Sequence, residues 1–350
     1  MFKFNDVSLE RLVVHQVGNK VQEQDLVLSK YEISMHDETV EELLMTYFLS
    51  SFKSEALHHF FHETDLELNE IYNYAMKIFD HPTHNFFEQS QNIAKHLYEK
   101  STHPNIKSGE MYLAYFSDCV VGDDLCDAIG IFKSETKETF IKVYQKNQGF
   151  DVDYDTGINI KKLDKGCLIF DLEDDKGFKV AIVDKTNKQE EAVYWKENFL
   201  NLKPREDSYY HTHNYLNICK DFVQDVFNAE HNVDRSEQIE MLNKSVQYFD
   251  TNEVFDVQSF EENVIGSEPE IVDAFREYKE TYAEDRNLMT FDEFDISPNA
   301  VKAQKKHFKS ILKLDKNFHV YIHGDRKRLE KGYDEEKDLN FYKLYYKVES

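Results

Sequence analysis

Between an opening hairpin and a short closing alternation, the hydrophobic period of this chain runs from helical to strand-like and back to helical. From Glu110 to Asp184 apolar residues alternate or run in short continuous bursts: Met111 to Phe116, Ala128 to Lys133, Thr139 to Tyr144, Cys167 to Leu172 and Phe178 to Val183. Bursts of that length and period are strands, because side chains two apart line one face of a sheet. Glu173-Asp174-Asp175-Lys176-Gly177 has the composition of a turn, so the last two strands pair as a hairpin and the sheet is expected to be antiparallel. Near the start, Leu12 to Val17, a polar stretch from Gly18 to Gln24, and Leu26-Val27-Leu28 continuing toward Ile33 read as a second hairpin.

Between and after these strands the apolar spacing is three and four. Asp37 or Thr39 caps a helix from about Val40 to Phe52, and two more helices run near Glu67 to Phe79 and Asn85 to Lys100, the last stopped by His103-Pro104. Beyond Trp195 the pattern is helical again, over Tyr215 to Asn228, Ser236 to Phe249, Ser259 to Ile265 and Glu268 to Glu284, and a short alternation closes the chain at Phe341 to Val348. The expected fold is α+β, a mainly antiparallel sheet with several helices followed by a helix-rich C-terminal region. The expected domains are 1–205, around the sheet, and 206–350, helical and ending in a basic helix and short strands. With 27 Phe and 21 Tyr but only 11 Gly and 5 Pro, the chain can build an aromatic core joined by short loops.

Charge is the other constraint. Sixty-seven acidic against 42 basic side chains give −25, which keeps the molecule soluble and repels a phosphate backbone over most of its surface. No positively charged end leads a long apolar run, and no window approaches 18 uncharged apolar residues, so neither secretion nor membrane contact is expected. Cys119, Cys126, Cys167 and Cys219 form no CxxC pair, as befits free thiols in a reducing cytoplasm.

The negative charge is unevenly spread. Residues 206 to 299 hold 23 acidic and 6 basic side chains, whereas residues 300 to 331 hold ten basic and three acidic ones. Lys302, Lys305, Lys306, Lys309 and Lys313 recur at helical spacing after Pro298 and would form one basic face, with Val301, Phe308, Ile311 and Leu312 docking the helix. His319 to His323 reads as a strand, and Arg326, Lys327, Arg328 and Lys331 decorate the loop after it. Such clusters grip phosphates without reading sequence, although lysines also serve simply as a solvated face.

Other motifs are fragmentary. Asp151-Val152-Asp153-Tyr154-Asp155-Thr156-Gly157 begins like a calcium loop but has Thr156 and Lys162 where Gly and Glu belong, so a polar loop is the better account. His58 and His62 stand four apart, as zinc ligands on a helix would, and His211 with His213 would share one side of a strand; neither pair has a third ligand, and no metal or other cofactor is assigned. No phosphate loop, dinucleotide fingerprint or nucleophile elbow occurs, and no catalytic residue is assigned.

Four segments together resemble the bacterial 37 kDa nucleoid-associated protein family, often called NdpA-like. They are Leu12 to Val17 with Asp25 to Ser29 and the Glu38 to Leu43 helix start; Gly109 to Tyr115 with Ala128 to Phe132; Gly157-Ile158-Asn159 to Leu163 with Tyr194 to Leu200; and Thr290 to Phe294 with Phe318 to Gly324. The resemblance implies an α/β protein of the bacterial cytoplasm, located at the nucleoid, with double-stranded DNA as a direct or indirect partner and no transferable catalytic residues. Three functions stay open: non-specific DNA binding through Lys302 to Lys331, an acidic adaptor for a DNA-processing protein, and a divalent-metal nuclease built from scattered carboxylates.

Overall fold

In a computed structural model, which describes residues 2–53, 55–185, 194–228, 233–308, 311–322 and 328–348, the chain is an α+β protein of two compact units, Met1–Arg205 and Glu206–Ser350. The first is built on a nine-stranded antiparallel sheet. In chain order its strands are β1 (Phe2–Lys3), β2 (Ser8–Val17), β3 (Leu26–Val27), β4 (Leu57–Phe60), β5 (Gly109–Val121), β6 (Asp124–Ser134), β9 (Lys165–Phe170), β10 (Lys179–Asp184) and β11 (Leu202–Pro204). They lie in the order β11-β4-β10-β9-β6-β5-β2-β3, with β1 on β5.

Three helices cover the sheet: α1 (Glu38–Leu49), α2 (Glu70–Asp80) and α3 (Pro82–Lys100). Asp37 caps α1 through the backbone N–H groups of Thr39 and Val40, Asn69 caps α2, and Pro82 opens α3 where a missing N–H costs nothing. Helices on both faces explain the continuous apolar runs. On β5, Met111, Leu113 and Tyr115 pack with α2 and α3, while Tyr112, Ala114 and Phe116 belong to the opposite cluster with Tyr47 and Phe48 of α1. Phe48 stacks on Phe132 of β6 at 4.3 Å between ring centroids.

The expected hairpin is present. β9 and β10 pair through Lys179↔Phe170 to Asp184↔Lys165, and the connection turns at Gly177, where φ is +84° and a Cβ would stand 2.5 Å from the Phe60 carbonyl oxygen. Thr139 to Tyr144, in contrast, does not enter the central sheet. It lies in β7 (Glu138–Lys146), which pairs with β8 (Gly149–Gly157) in a separate two-stranded hairpin. Asp151 to Gly157 is therefore strand, not loop, and its alternating carboxylates fall on one face, where Lys142 meets Asp155 and Lys146 meets Asp151. Alternation identifies a strand but not the sheet it joins.

The second unit comprises α4 (Ser208–Asp225), α5 (Arg235–Thr251), α6 (Val257–Phe260), α7 (Pro269–Arg286) and α8 (Pro298–Lys305), with the ribbon β12 (Val254–Asp256) and β13 (Glu293–Asp295). Asp234 and Glu237 close a reciprocal capping box at the head of α5. Aromatic rings fill the core: Phe255 stacks on Phe294 at 4.7 Å, and Tyr215 lies 4.2 Å from Phe255. Two further hairpins complete the unit, β14 (Ile311–Leu314) with β15 (Phe318–Tyr321), and β16 (Leu329–Asp334) with β17 (Leu339–Leu344).

Both histidine pairs lose their expected spacing. His58 lies in β4, a strand, so four residues to His62 is not one helical turn. His211 and His213 lie on helix α4, where a separation of two sends the rings apart: His211 packs on Phe291 and Phe294, and His213 contacts Gln304. Among the described residues no cluster of His, Cys, Asp and Glu is arranged to hold a metal ion. No helix among them is long and apolar enough to cross a membrane.

Candidate nucleic-acid interface

The basic segment begins on α8. Ser297 caps it by accepting from Ala300 N–H, and its own N–H donates to Thr212 Oγ1 at 2.9 Å, which ties the helix start to α4. Ala300, Val301 and Gln304 form the buried side, with Gln304 Nε2 donating to Asn217 Oδ1 at 3.2 Å. Lys302, Lys305 and Lys306 are consequently turned outward and are all exposed. Lys302 and Lys306, four apart, share one helix face, and the lysines near the helix C-terminus also complement its negative end.

The helix does not run on to Lys313 as the spacing suggested. It ends at Lys305, the chain turns through Lys306 and His307, and Phe308 buries its ring in the core. Lys313 instead lies on β14, exposed, on the face it shares with its partner His319 and with the Ile311↔Tyr321 pair. On the other face Leu312 is buried, while Phe318 is exposed. Arg328 and Lys331 are exposed on or beside a third element, β16, where Lys331 is paired with Tyr342. Lys309, Arg326 and Lys327 lie outside the described residues. Of the six candidates among the described residues, Lys302, Lys305 and Lys306 thus lie together at the end of α8, Lys313 lies on β14, and Arg328 and Lys331 lie on or beside β16.

Neutralisation differs among them. Lys305 Nζ lies 2.7 Å from Asp250 Oδ1, at the end of α5, so part of its charge is already answered. Lys302, Lys306, Lys313, Arg328 and Lys331 make no ion pair among the described residues. Sequence spacing alone missed Asp250, which is fifty-five positions from its partner. It also missed the aromatic neighbours Tyr321 and Tyr342, although period-two alternation around Lys313 and Lys331 carried that signal.

The same unit holds a groove of about 830 Å³ between α4, α5 and α7. Phe222, Phe227, Met241 and Ile271 line its floor. Glu237, Glu240, Glu268 and Glu270 stand around it, and Lys244, the one lysine lining it among the described residues, is paired with Glu240 at 3.1 Å.

Fold and charge define a two-unit α+β protein whose acidic C-terminal helices are followed by a short cationic segment on exposed elements. The chain belongs to the family of the nucleoid-associated protein YejK, which it matches over residues 13–339. No curated protein matches it.

Proposed function

We propose that this protein associates with the bacterial nucleoid by contacting duplex DNA directly and without sequence preference, through Lys302 to Lys331, and that it performs no catalysis. The reading rests on one observation: in a chain of net charge −25, Lys302, Lys306, Lys313, Arg328 and Lys331 are exposed and unanswered by carboxylates among the described residues. Lysines placed on a helix end and two hairpins meet phosphates as point charges, and the exposed ring of Tyr321, on the face of Lys313, adds surface for sugar and base. Family membership supports nucleoid location.

Fluorescence anisotropy on duplexes of unrelated sequence tests this. Changing Lys302 and Lys306 to Glu is expected to weaken binding at least about 10-fold at low salt and to reduce the salt slope by roughly two, equally for every sequence. Asp250→Asn, which releases Lys305, is expected to strengthen it. Absence of wild-type affinity at about 50 mM salt defeats direct contact.

The acidic groove favours a second reading, an adaptor that seats a basic amphipathic segment of a DNA-processing protein, apolar side inward and cations against Glu237, Glu240, Glu268 and Glu270. Partners retained after nuclease treatment and lost on Met241→Lys support the adaptor, and partners that vanish with the DNA support direct contact.

A further inference from the structure

The β7–β8 hairpin has two unlike faces. Its register pairs Thr139 with Thr156, Ile141 with Tyr154, Val143 with Val152 and Gln145 with Phe150, so these eight side chains share one face. None is charged, in a chain of which 31% is charged. The opposite face carries Lys142, Lys146, Asp151, Asp153 and Asp155 together with the half-exposed rings of Phe140 and Tyr144, and it settles most of its charge through the Lys142–Asp155 and Lys146–Asp151 pairs.

The neutral face is open. Ile141 is 72% exposed, Val143 65%, Phe150 79%, Val152 64% and Tyr154 71%, and among the described residues β7 and β8 pair only with each other. A two-stranded hairpin is marginal in water by itself, and an apolar patch of this size marks an interaction surface.

We propose that this face is the contact between two copies of the chain. Charge selects the occupant. The phosphates of a polynucleotide and the side chains of a charged peptide find no counter-charge on the face, whereas two molecules of net charge −25 can meet through a neutral surface without adding a like-charge contact. The pattern also suits a twofold axis. An axis through the Val143–Val152 rung sets each valine on its twin and places Phe150 of one copy over Tyr154 of the other, twice. The five large side chains offer on the order of 600 Å² per copy, against roughly 800 Å² per partner in a standard interface, which suits a reversible dimer. This inference stands independently of how the chain meets DNA.

Sedimentation velocity of the full chain from about 1 to about 100 µM reads the association. Wild type is expected to shift reversibly from monomer to dimer, and the variant carrying both Val143→Lys and Val152→Lys to remain monomeric throughout. To separate loss of contact from melting of the hairpin, a second arm uses mild oxidation with oxidised glutathione. Val143→Cys is expected to form a disulfide-linked dimer at least about 10-fold faster than Tyr144→Cys, its neighbour on the charged face. The native thiols do not interfere: Cys119, Cys167 and Cys219 are buried, and burial pushes Cys126 up to about 12. A wild type that stays monomeric at the top concentration, as it would if a different protein covered the face, overturns the proposal. Equal cross-linking of the two cysteine variants overturns it as well.

Discussion

At the scale of single residues, burial and hydrogen bonding decide which charged states the fold tolerates. His15 is 1% exposed on β2; its Nδ1 accepts from Ser29 N–H at 3.0 Å, and its Nε2 lies 3.0 Å from Ser90 Oγ, which donates to the Phe87 carbonyl. Both ring positions are therefore assigned, with the proton on Nε2, and a second proton on Nδ1 would face an N–H donor. Burial lowers its pKa to about 4 from 6.5. Between those values the unfolded chain binds a proton that the folded chain refuses. Stability thus falls as pH drops from 6.5 toward 4, by at most about 3 kcal/mol from this group, and gains nothing from it above that window. The His15 ring resonance in NMR is expected to stay at its neutral position down to about pH 5. A midpoint near the ordinary imidazole value would show that the Ser29 and Ser90 contacts do not hold.

At the scale of elements, the central sheet is held by rings that need room made for them. A Cβ on Gly130 of β6 would stand 2.4 Å from the Phe132 ring and 2.8 Å from that of Phe116, both wholly buried and both edge-on to one another. Gly130→Ala is accordingly expected to destabilise by about 1–3 kcal/mol, read as a lower urea midpoint with an unchanged slope, although alanine ordinarily favours an extended backbone over glycine. The elements themselves were largely legible, because a helix or strand declares itself through local period: α1 to α3, α4, α5 and α7 all follow apolar spacing of three and four, and β9–β10 follows its turn. What sequence left hidden was partnership. The alternation in Thr139 to Tyr144 fits the central sheet and a free-standing hairpin equally. The Lys302 to Lys313 spacing fits one helix until Phe308 takes its place in the core and breaks the run. The basic segment was legible as charge, and its dispersal over α8, β14 and β16, with Asp250 answering Lys305, depended on contacts far apart in sequence.

At the scale of the whole molecule, one charge distribution makes two opposite demands on salt. Residues 206 to 299, with 23 acidic and 6 basic side chains, repel themselves within a single unit, whereas the DNA contact proposed for the cationic segment after them would depend on attraction to phosphate. Screening acts on both, since the Debye length shortens from about 30 Å at 0.01 M to about 10 Å at 0.1 M. Raising salt across that range is expected to increase the melting temperature of the second unit by a few degrees, on the order of 1 kcal/mol, while DNA affinity declines. Calorimetry and anisotropy on the same samples would read the two trends. If stability and affinity instead fell together, the acidic helices would be gaining stability from ion pairs such as Arg276 with Glu261 rather than losing it to repulsion, and the loss of binding would then reflect loosening of the unit that carries the lysines.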